Sequence, residues 1–477
     1  MKKNSLYLLF ALSILMSACA KDLDTTNKNP NATQNAQPDY LLTAAIKNSA
    51  DNYWGVSNNM NSSLLFVQHW AKIQYTEEDR YIFSNTSFNS LWSTGFSQSI
   101  TGLNKVISLG EAANNVNYKG VGLVLRSWIF LQLTDAYGDI PYSEAGNIDS
   151  FITPKFDKQK DVYFGLLDDL KSASQLLNSS GKSIAGDVIY NGNIDKWKKL
   201  ANSFRLRIAL RISDREPEKA KQVLEELSVE GNNFISSNLE NAQLNYLSSP
   251  QQNPVSASFE TRNDYRISKT IVDKLFQLHD PRLAVFASKT ETSTPQQYVG
   301  VPNGLTTSDA SNLGFAKTSK PGDYFRAAQA PAVIFSYAEI LFDRAEAAAR
   351  GFTNDGASDL YLQAIKASLK QYNVSDEAVI NYLAQPLVQF DLVNFKKSIG
   401  EQKWIALFGQ GLEAFAEWRR LDYPELAPAV AGVLDGKIPV RFIYPGMEQT
   451  LNGANYKAAV AAQGADLLTT KLWFDVK

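Results

Sequence analysis

The 477-residue chain has little of the chemistry on which many enzymes and redox proteins depend. Its single cysteine, Cys19, allows no internal disulfide, and once modified it leaves no thiol nucleophile. Only two histidines, His69 and His279, are present, which excludes a histidine-rich metal site. The sequence has no Walker A loop and no G-x-G-x-x-G segment between a strand and a helix. We therefore expect no cofactor and no bound metal.

Neither sign of charge dominates the chain. It carries 47 basic and 49 acidic side chains, for a formal net charge of −2, and no block of like charge stands out. This balance argues against a nucleic-acid partner, which would require a basic surface. The chain is 44% hydrophobic and long enough to bury a large core, so its stability must come from packing.

The N-terminus has the pattern of an export signal. Lys2 and Lys3 precede an apolar run at residues 6–16, which is too short for a permanent membrane-spanning helix. Small residues then lead directly to Cys19, and this order resembles a bacterial lipobox, in which cleavage before the cysteine exposes it for lipidation. We predict a signal peptide at 1–18 and a lipid anchor on Cys19. The alternative is an ordinary leader with an incidental cysteine.

The segment after Cys19 is polar and rich in Asn and Thr. Such a composition buries too little apolar surface to offset the entropy lost on ordering, so 19–38 is predicted to be the lipidated cysteine and a flexible tether. A helical pattern starts near Asp39, and we expect one folded domain over 39–477.

Most of that domain shows apolar residues at three- and four-residue steps, the pattern of amphipathic helices. Many of these segments form pairs with short links, typical of helix hairpins of the tetratricopeptide type, although no exact repeat period is present. We predict an all-α superhelix of such hairpins, decorated by long loops. The helices are predicted at 88–112, 118–137, 158–178, 195–212, 217–230, 334–350, 357–372 and 401–420.

The composition changes between residues 232 and 330. This segment is rich in Asn, Ser, Thr, Gln, Pro and Gly and is interrupted by one short helical pattern around 268–278. Long irregular segments in compact proteins are commonly functional, so we expect 232–330 to form a loop-built ligand face.

Several segments, taken together in their order and spacing, resemble the SusD/RagB family of outer-membrane nutrient-binding lipoproteins, in particular its SusD-like, starch-binding-associated branch. The resemblance covers nearly the whole chain, although no single motif is diagnostic. Besides Cys19, Arg205 and Arg207, the segments that carry it are 137–142 (YGDIPY), 186–192 (GDVIYNG), 197–203 (WKKLANS), 280–283 (DPRL), 337–340 (YAEI), 344–347 (RAEA), 402–407 (QKWIAL) and 417–420 (EWRR).

The resemblance implies a non-enzymatic protein on the outer membrane, lipid-anchored and facing the cell exterior. Members of the family bind nutrient oligomers, most often glycans, and pass them to a partner SusC-like TonB-dependent transporter. The residues after Cys19 match the acidic surface-export signal of such lipoproteins only in part. A peptide-binding member of the same family is the alternative.

The family motifs themselves are predicted to be structural. Trp197 and Trp404 lie on apolar helical stripes and should be core. Four arginines of the motifs should pair with carboxylates and cover helix surface with their stems. The arginines are Arg205, Arg207, Arg419 and Arg420, and their expected partners are Glu339, Glu346 and Asp422.

Ligand binding is predicted to use aromatic rings beside polar groups, because sugars offer apolar C–H faces to flat rings and hydroxyls to polar side chains. Two segments combine these residue types, one at 52–83 and one around 296–326. The predicted ligand-binding residues are Trp54, Tyr75, Tyr81 and Tyr298, followed by Trp70 and Tyr324. For Trp54 and Trp70 a place in the helical core is an equal alternative.

Two further readings stay open from the sequence. Glu77 and Glu78 lie among aromatics, and a pair of carboxylates on either side of a glycosidic bond could hydrolyse it. A scaffold or adhesin without a small ligand would share the anchor and the helical repeats. His69 is too isolated to indicate a metal site or a catalytic triad.

Overall fold

A computed structural model describes residues 36–147 and 150–476. The predicted signal peptide, Cys19 and nearly all of the predicted tether lie outside the described residues. The first described helix begins at Pro38, one residue before the predicted start of the folded domain.

Helices dominate the first half of the chain, where two π-helical segments, Val56–Ser63 and Thr94–Ile100, extend neighbouring α-helices. The α-helices are α1 Pro38–Trp54, α2 Leu64–Phe66, α3 Asn89–Ser93, α4 Thr101–Ala112, α5 Val116–Tyr137, α6 Gln159–Leu176, α7 Ile194–Ile212 and α8 Pro217–Val229.

In the second half, the segment 232–330 contains five short α-helices where the sequence predicted one, and further long helices follow it. The helices are α9 Pro254–Thr261, α10 Lys269–Gln277, α11 Leu283–Phe286, α12 Thr307–Asn312, α13 Asp323–Arg326, α14 Tyr337–Ala349, α15 Ala357–Gln371, α16 Asp376–Leu383, α17 Phe395–Ala406, α18 Gly411–Leu421, α19 Gly446–Leu451 and α20 Gly453–Gln463. Short 3₁₀ turns lie at Glu78–Arg80, Asn238–Glu240, Phe315–Lys317 and Pro386–Val388.

Four short strands form two antiparallel pairs. Strand β1 (Trp70–Lys72) pairs with β3 (Tyr265–Ile267), and β2 (Ala242–Leu244) pairs with β4 (Ala332–Phe335). Strands β2 and β3 belong to the 232–330 segment, and their partners β4 and β1 lie outside it. The two pairs therefore fix the loops of this segment to the rest of the protein.

Consecutive helices pack side by side as hairpins. In the first half, α5 packs against both α4 and α6, and α7 packs against α6 and α8. In the second half, α14 packs against α15 and α17, and α17 against α18. The prediction of an all-α, tetratricopeptide-like architecture is confirmed. The buried apolar side chains form a cluster that runs from Leu42 to Phe474.

The helix ends follow local chemistry. Helix α5 begins after Asn115, whose side-chain oxygen accepts a hydrogen bond from the Asn117 N–H at 3.1 Å. It ends at Gly138, where φ is +89° and a side chain would be strained. The structure thus places both ends within two residues of the predicted bounds 118–137.

Two predicted helices differ from the structure. The segment 334–350 begins as strand β4, and the helix starts only after Ser336, whose hydroxyl accepts from the Glu339 N–H at 3.2 Å. The segment 401–420 is broken into α17 and α18 at Gly409, where φ is +89°. A Cβ there would also lie 3.2 Å from the Trp54 ring, so the break brings helix backbone close to the core.

The motif arginines are buried in ion pairs between helices. Arg207 on α7 donates to Glu339 on α14 at 2.6 Å, and Arg420 on α18 donates to Glu346 on α14 at 2.6 Å. The prediction that motif arginines pair with Glu339 and Glu346 is confirmed. Such pairs join the motif helices to each other, and losing one partner would leave a buried charge uncompensated.

The remaining motif residues are also structural. Arg205 pairs instead with Glu226 and Glu230 on or next to α8. Arg419 donates to the carbonyl oxygens of Phe415 and Val440. The predicted core tryptophans of the motifs, Trp197 and Trp404, are buried as expected.

Candidate functional site

Three of the predicted ligand-binding rings are part of the core. Trp54, Trp70 and Tyr81 are all less than 5% exposed and have no ring face open to a ligand. The Trp54 indole N–H donates to the carbonyl of Val333 at 3.1 Å, and Trp70 packs against Tyr265 within the β1–β3 pair. These three rings, predicted as ligand contacts, are therefore core residues.

Tyr81 is buried by its contacts with other parts of the core. It follows the 3₁₀ turn at Glu78–Arg80 with φ of +68°, and its ring packs against Phe66 at 6.0 Å between ring centres. Its hydroxyl accepts a hydrogen bond from the Ala429 N–H at 3.2 Å. Burial raises its pKa above the usual range. The ring therefore supports the loop instead of facing solvent.

Tyr75 has the opposite environment. Its side chain is 55% exposed, and its φ of +53° directs the chain through a sharp turn immediately after β1. The guanidinium carbon of Arg262 lies 5.4 Å from the centre of its ring, within the range of a cation–π contact. An exposed tyrosine held by an arginine is a suitable platform for a ligand with both apolar and polar groups.

A set of ion pairs fixes the arginine beneath this ring. Arg262 donates to the two carboxylate oxygens of Asp264 at 3.0 and 2.9 Å. The buried Lys72 lies 3.6 Å from Asp264 and donates to Glu78 at 2.7 Å. Burial alone would raise the pKa of Asp264, but the hydrogen bond from Arg262 and the charge of Lys72 hold it below its ordinary value. These contacts hold the guanidinium of Arg262 in position beside the Tyr75 ring.

The turn that carries Tyr75 is also attached to α12. The hydroxyl of Thr307 lies 3.2 Å from that of Thr76, and Ser311 donates to the carbonyl of Ile73 at 3.3 Å. Residues of the 52–83 and 232–330 segments therefore meet on one surface, which we call the Tyr75 surface. It comprises Tyr75, Glu78, Arg262, Thr307 and Ser311.

The sequence reasoning missed Arg262, Thr307 and Ser311. Their only signal was their position in the predicted loop-built face, because no motif or spacing links them to Tyr75. The hydroxyls, carboxylate and guanidinium around Tyr75 can donate to and accept from sugar hydroxyls, while the ring can stack on a sugar face.

The two other predicted tyrosines are only partly exposed. Tyr298 lies near Phe276, at 6.3 Å between ring centres, and 5.9 Å from the ammonium nitrogen of Lys289. Tyr324 packs against Tyr372 at 5.2 Å. Burial raises the pKa of both tyrosines. Neither ring shares a described ring contact with Tyr75, so the three candidates do not form a single aromatic cluster.

The acidic residues near Tyr75 are held by protein groups. Asp79 is buried and accepts from the Lys72 N–H at 3.0 Å and from the Asn303 amide at 2.8 Å. Burial raises its pKa to about 6, against the lowering effect of these hydrogen bonds. Glu78 pairs with Lys72, as described above. Both carboxylates thus have structural partners on the protein.

His69 is a core residue. Its Nε2 lies 3.0 Å from the carbonyl oxygen of Trp404, and its ring packs against Trp404 and Phe408. Burial lowers its pKa to about 3, so the imidazole is neutral at ordinary pH. Within residues 36–147 and 150–476, no group of three or more His, Cys, Asp or Glu side chains is arranged to hold a metal ion. Over the same ranges, no helix combines the length and apolar character needed to cross a bilayer.

Tetratricopeptide-like hairpins that carry long loops define the chain as an α-helical repeat protein. The chain belongs to the SusD-like family. The family profile described as "Starch-binding associating with outer membrane" matches residues 30–445. No match was found among curated proteins.

Solved structures support the same membership. A chitin-binding protein is similar at 31% identity and a TM-score of 0.84, with 92% of this chain and 100% of that chain covered. A SusD homolog from Bacteroides uniformis ATCC 8492 shows 26% identity, a TM-score of 0.83 and coverage of 92% and 100%. A chitin-binding SusD homolog from Flavobacterium johnsoniae has the same fold, at 23% identity, a TM-score of 0.82 and coverage of 91% and 99%.

Proposed function

We propose that this protein is an outer-membrane lipoprotein that binds nutrient glycan oligomers and delivers them to a partner SusC-like TonB-dependent transporter. The observation that carries the binding part is the Tyr75 surface, where an exposed ring and a fixed guanidinium lie beside a carboxylate and hydroxyls on a SusD-like fold. It binds its ligand without chemical conversion.

The composition of the Tyr75 surface favours sugar chains. The exposed ring provides a flat apolar area, and the side chains of Glu78, Arg262, Thr307 and Ser311 offer donors and acceptors around it. The relative at 31% identity is a chitin-binding protein, and the family is described as starch-binding. Chitin and starch oligomers are therefore the first ligands to test. Tyr298 and Tyr324 are secondary ligand contacts in this proposal.

Anchoring is proposed through Cys19. Cleavage of residues 1–18 would expose it, and the several acyl chains of a bacterial lipoprotein would hold the protein stably in the outer membrane. The polar segment up to residue 38 would then let one folded domain, 39–477, move above the transporter facing the cell exterior. The family description supports an association with the outer membrane.

Two experiments test these parts separately. In the first, chitin oligomers, malto-oligosaccharides and a peptide mixture are titrated into the protein by calorimetry. Saturable binding of a glycan supports the proposal, whereas saturable binding of peptides alone would favour the peptide-binding alternative. Hydrolysis of a glycan that is lost in Glu77→Gln or Glu78→Gln would contradict a purely binding function.

In the second experiment, the tagged full-length protein is purified from its native membrane in mild detergent. Recovery of a TonB-dependent transporter in stoichiometric amount supports delivery. Metabolic labelling with a fatty acid should mark the wild type and leave Cys19→Ala unmarked. Equal labelling of the two proteins, or no label on the wild type, would contradict a lipid anchor on Cys19. Surface labelling of intact cells then tests the orientation.

A further inference from the structure

A groove near the end of the chain shares no lining residue with the Tyr75 surface. It has a volume of about 910 Å³ and runs between the start of α6, the turn after α7 and the C-terminal segment that follows α20. This volume falls within the ~300–1,000 Å³ typical of sites for organic ligands. Its charged and aromatic lining residues include Lys158, Lys160, Arg215, Lys471 and Trp473, and we call it the C-terminal groove.

The aromatic side of this groove is Trp473. Its half-buried indole is supported by Tyr163, with 6.1 Å between ring centres. Arg215 donates from its Nε to the Trp473 carbonyl at 2.6 Å, which fixes the backbone that carries the ring. The indole is thus backed by the core and lines the groove with its remaining surface.

The cationic groups that line the groove are exposed to solvent, whereas its carboxylates are buried. The side chains of Lys160 and Lys471 are 40% and 49% exposed, and Lys158 and Arg215 are exposed as well. The lining carboxylates are buried: the side chain of Asp475 is only 4% exposed. A ligand therefore meets ammonium and guanidinium groups first.

Part of this positive charge is already compensated. Lys160 pairs with Glu216, and Lys471 lies 3.5 Å from Asp475. Among the described residues, no carboxylate lies within ion-pair distance of Lys158 or Arg215. Asp139, the other lining carboxylate, is buried and accepts from the Gln159 N–H at 2.8 Å. The accessible charge of the groove is consequently positive, in a chain whose net charge is −2.

We propose that the C-terminal groove binds an anionic sugar chain, such as a uronic-acid oligomer. The indole of Trp473 offers a flat face for sugar C–H groups, and the surrounding cations offer partners for carboxylates or sulfates. This site goes beyond the proposed function, because it is a second ligand site with a different charge preference. A neutral oligomer at the Tyr75 surface and an anionic one here would bind independently.

The test uses oligogalacturonate as the anionic probe and a chitin oligomer as the neutral one, titrated by calorimetry. We expect saturable binding of oligogalacturonate that weakens as ionic strength rises. The double variant Lys158→Gln/Lys471→Gln, which leaves Trp473 and its contacts in place, should weaken it at least about fivefold. The matched control Lys105→Gln/Lys221→Gln removes two exposed lysines outside the groove and should leave the affinity unchanged.

Three results would overturn the proposal. They are no saturable binding of oligogalacturonate, an affinity unchanged in the Lys158→Gln/Lys471→Gln variant, and loss of oligogalacturonate binding in Tyr75→Ala. The last result would place the anion at the Tyr75 surface, so the proposed function would stand while the second site failed.

A polyglutamate peptide tests the competing occupant, an acidic segment of another protein. If the peptide binds as tightly as oligogalacturonate and Trp473→Phe and Trp473→Ala leave both affinities unchanged, the groove recognises charge without sugar stacking and the proposal is wrong. A loss of oligogalacturonate affinity in Trp473→Ala, with partial recovery in Trp473→Phe and both variants folded at the temperature of the titration, supports it.

Discussion

The guanidinium of Arg262 lies 5.4 Å from the ring centre of Tyr75, although the two residues are far apart in the sequence. The contact depends on β1 pairing with β3, which brings the turn after residue 72 next to the chain before residue 265. Since Asp264 fixes the guanidinium by two hydrogen bonds, the cation can orient the ring without losing its own partner.

Replacing Arg262 should therefore reduce ligand affinity, because its guanidinium holds the Tyr75 ring in place. In Arg262→Gln the ring loses a cation–π contact of about 0.5–1 kcal/mol, so glycan affinity should fall by roughly two- to fivefold. Calorimetry measures this change. Arg344→Gln is the control for loss of a partly exposed guanidinium elsewhere, because the side chain of Arg344 is 31% exposed and that of Arg262 is 43% exposed. Equal affinities in the two variants would argue against a role for the arginine in binding.

Tyr81 and Tyr75 should respond differently to truncation. Tyr81→Ala removes a buried ring and an acceptor for the Ala429 N–H, so we expect a loss of about 3–5 kcal/mol in the free energy of unfolding. Tyr75→Ala removes an exposed ring and its cation–π contact with Arg262 and should change it by no more than about 1 kcal/mol. Urea unfolding of both variants checks this. Similar losses in the two would mean that the assignment of one ring to the core and the other to the surface is wrong.

The comparison of these tyrosines shows what periodicity could and could not predict. Long helices such as α5 and α7 follow from apolar residues at three- and four-residue steps and from their caps, so their bounds lie within two residues of the predictions. The burial of Tyr81, by contrast, depends on its contacts with Phe66 and Ala429, which no local pattern predicts.

The site depends on contacts between distant parts of the chain. Tyr75 was predicted from its residue type and its polar neighbours. Arg262 and Thr307 join it only through the β1–β3 pair and the contact with α12. The groove around Trp473 could likewise not be predicted from the sequence, because the cations that line it come from three separate segments.

The buried pair Arg207–Glu339 should be essential for stability. Neither side chain is more than 2% exposed, so Arg207→Met would leave Glu339 without its partner in the interior. We expect a loss of about 3–5 kcal/mol in the free energy of unfolding, measured in urea. Asp273→Asn, which breaks an exposed pair with Lys269, should cost at most about 1 kcal/mol. A similarly small cost for Arg207→Met would contradict the proposed role of the pair.

His69 should make stability depend on pH. Burial lowers its pKa from 6.5 to about 3 in the folded state, so the unfolded chain binds the extra proton first as the pH falls. Its contribution is complete above pH 6.5 and is lost progressively toward pH 3. Between about pH 7 and about pH 5 this loss amounts to about 2 kcal/mol.

His69→Phe keeps a ring between Trp404 and Phe408 and removes the titrating group. Urea unfolding at the two pH values should show a decrease in stability over this range that is smaller in the variant by that amount. The absolute stability of the variant also reflects the lost hydrogen bond to Trp404, so only the difference between the two pH values is compared. The same decrease in wild type and variant would exclude His69 as the source.

The central claim, that the Tyr75 surface binds glycan oligomers, is tested most directly by titrating chitin oligomers and malto-oligosaccharides into the wild type, Tyr75→Ala and Tyr40→Ala. Tyr40 is the matched control, since it is a more exposed tyrosine on α1. The account predicts saturable binding of a glycan that is at least about fivefold weaker in Tyr75→Ala, from the ~1 kcal/mol or more that truncating a central aromatic costs, and unchanged in Tyr40→Ala. Glycan binding with equal affinity in all three proteins would contradict it.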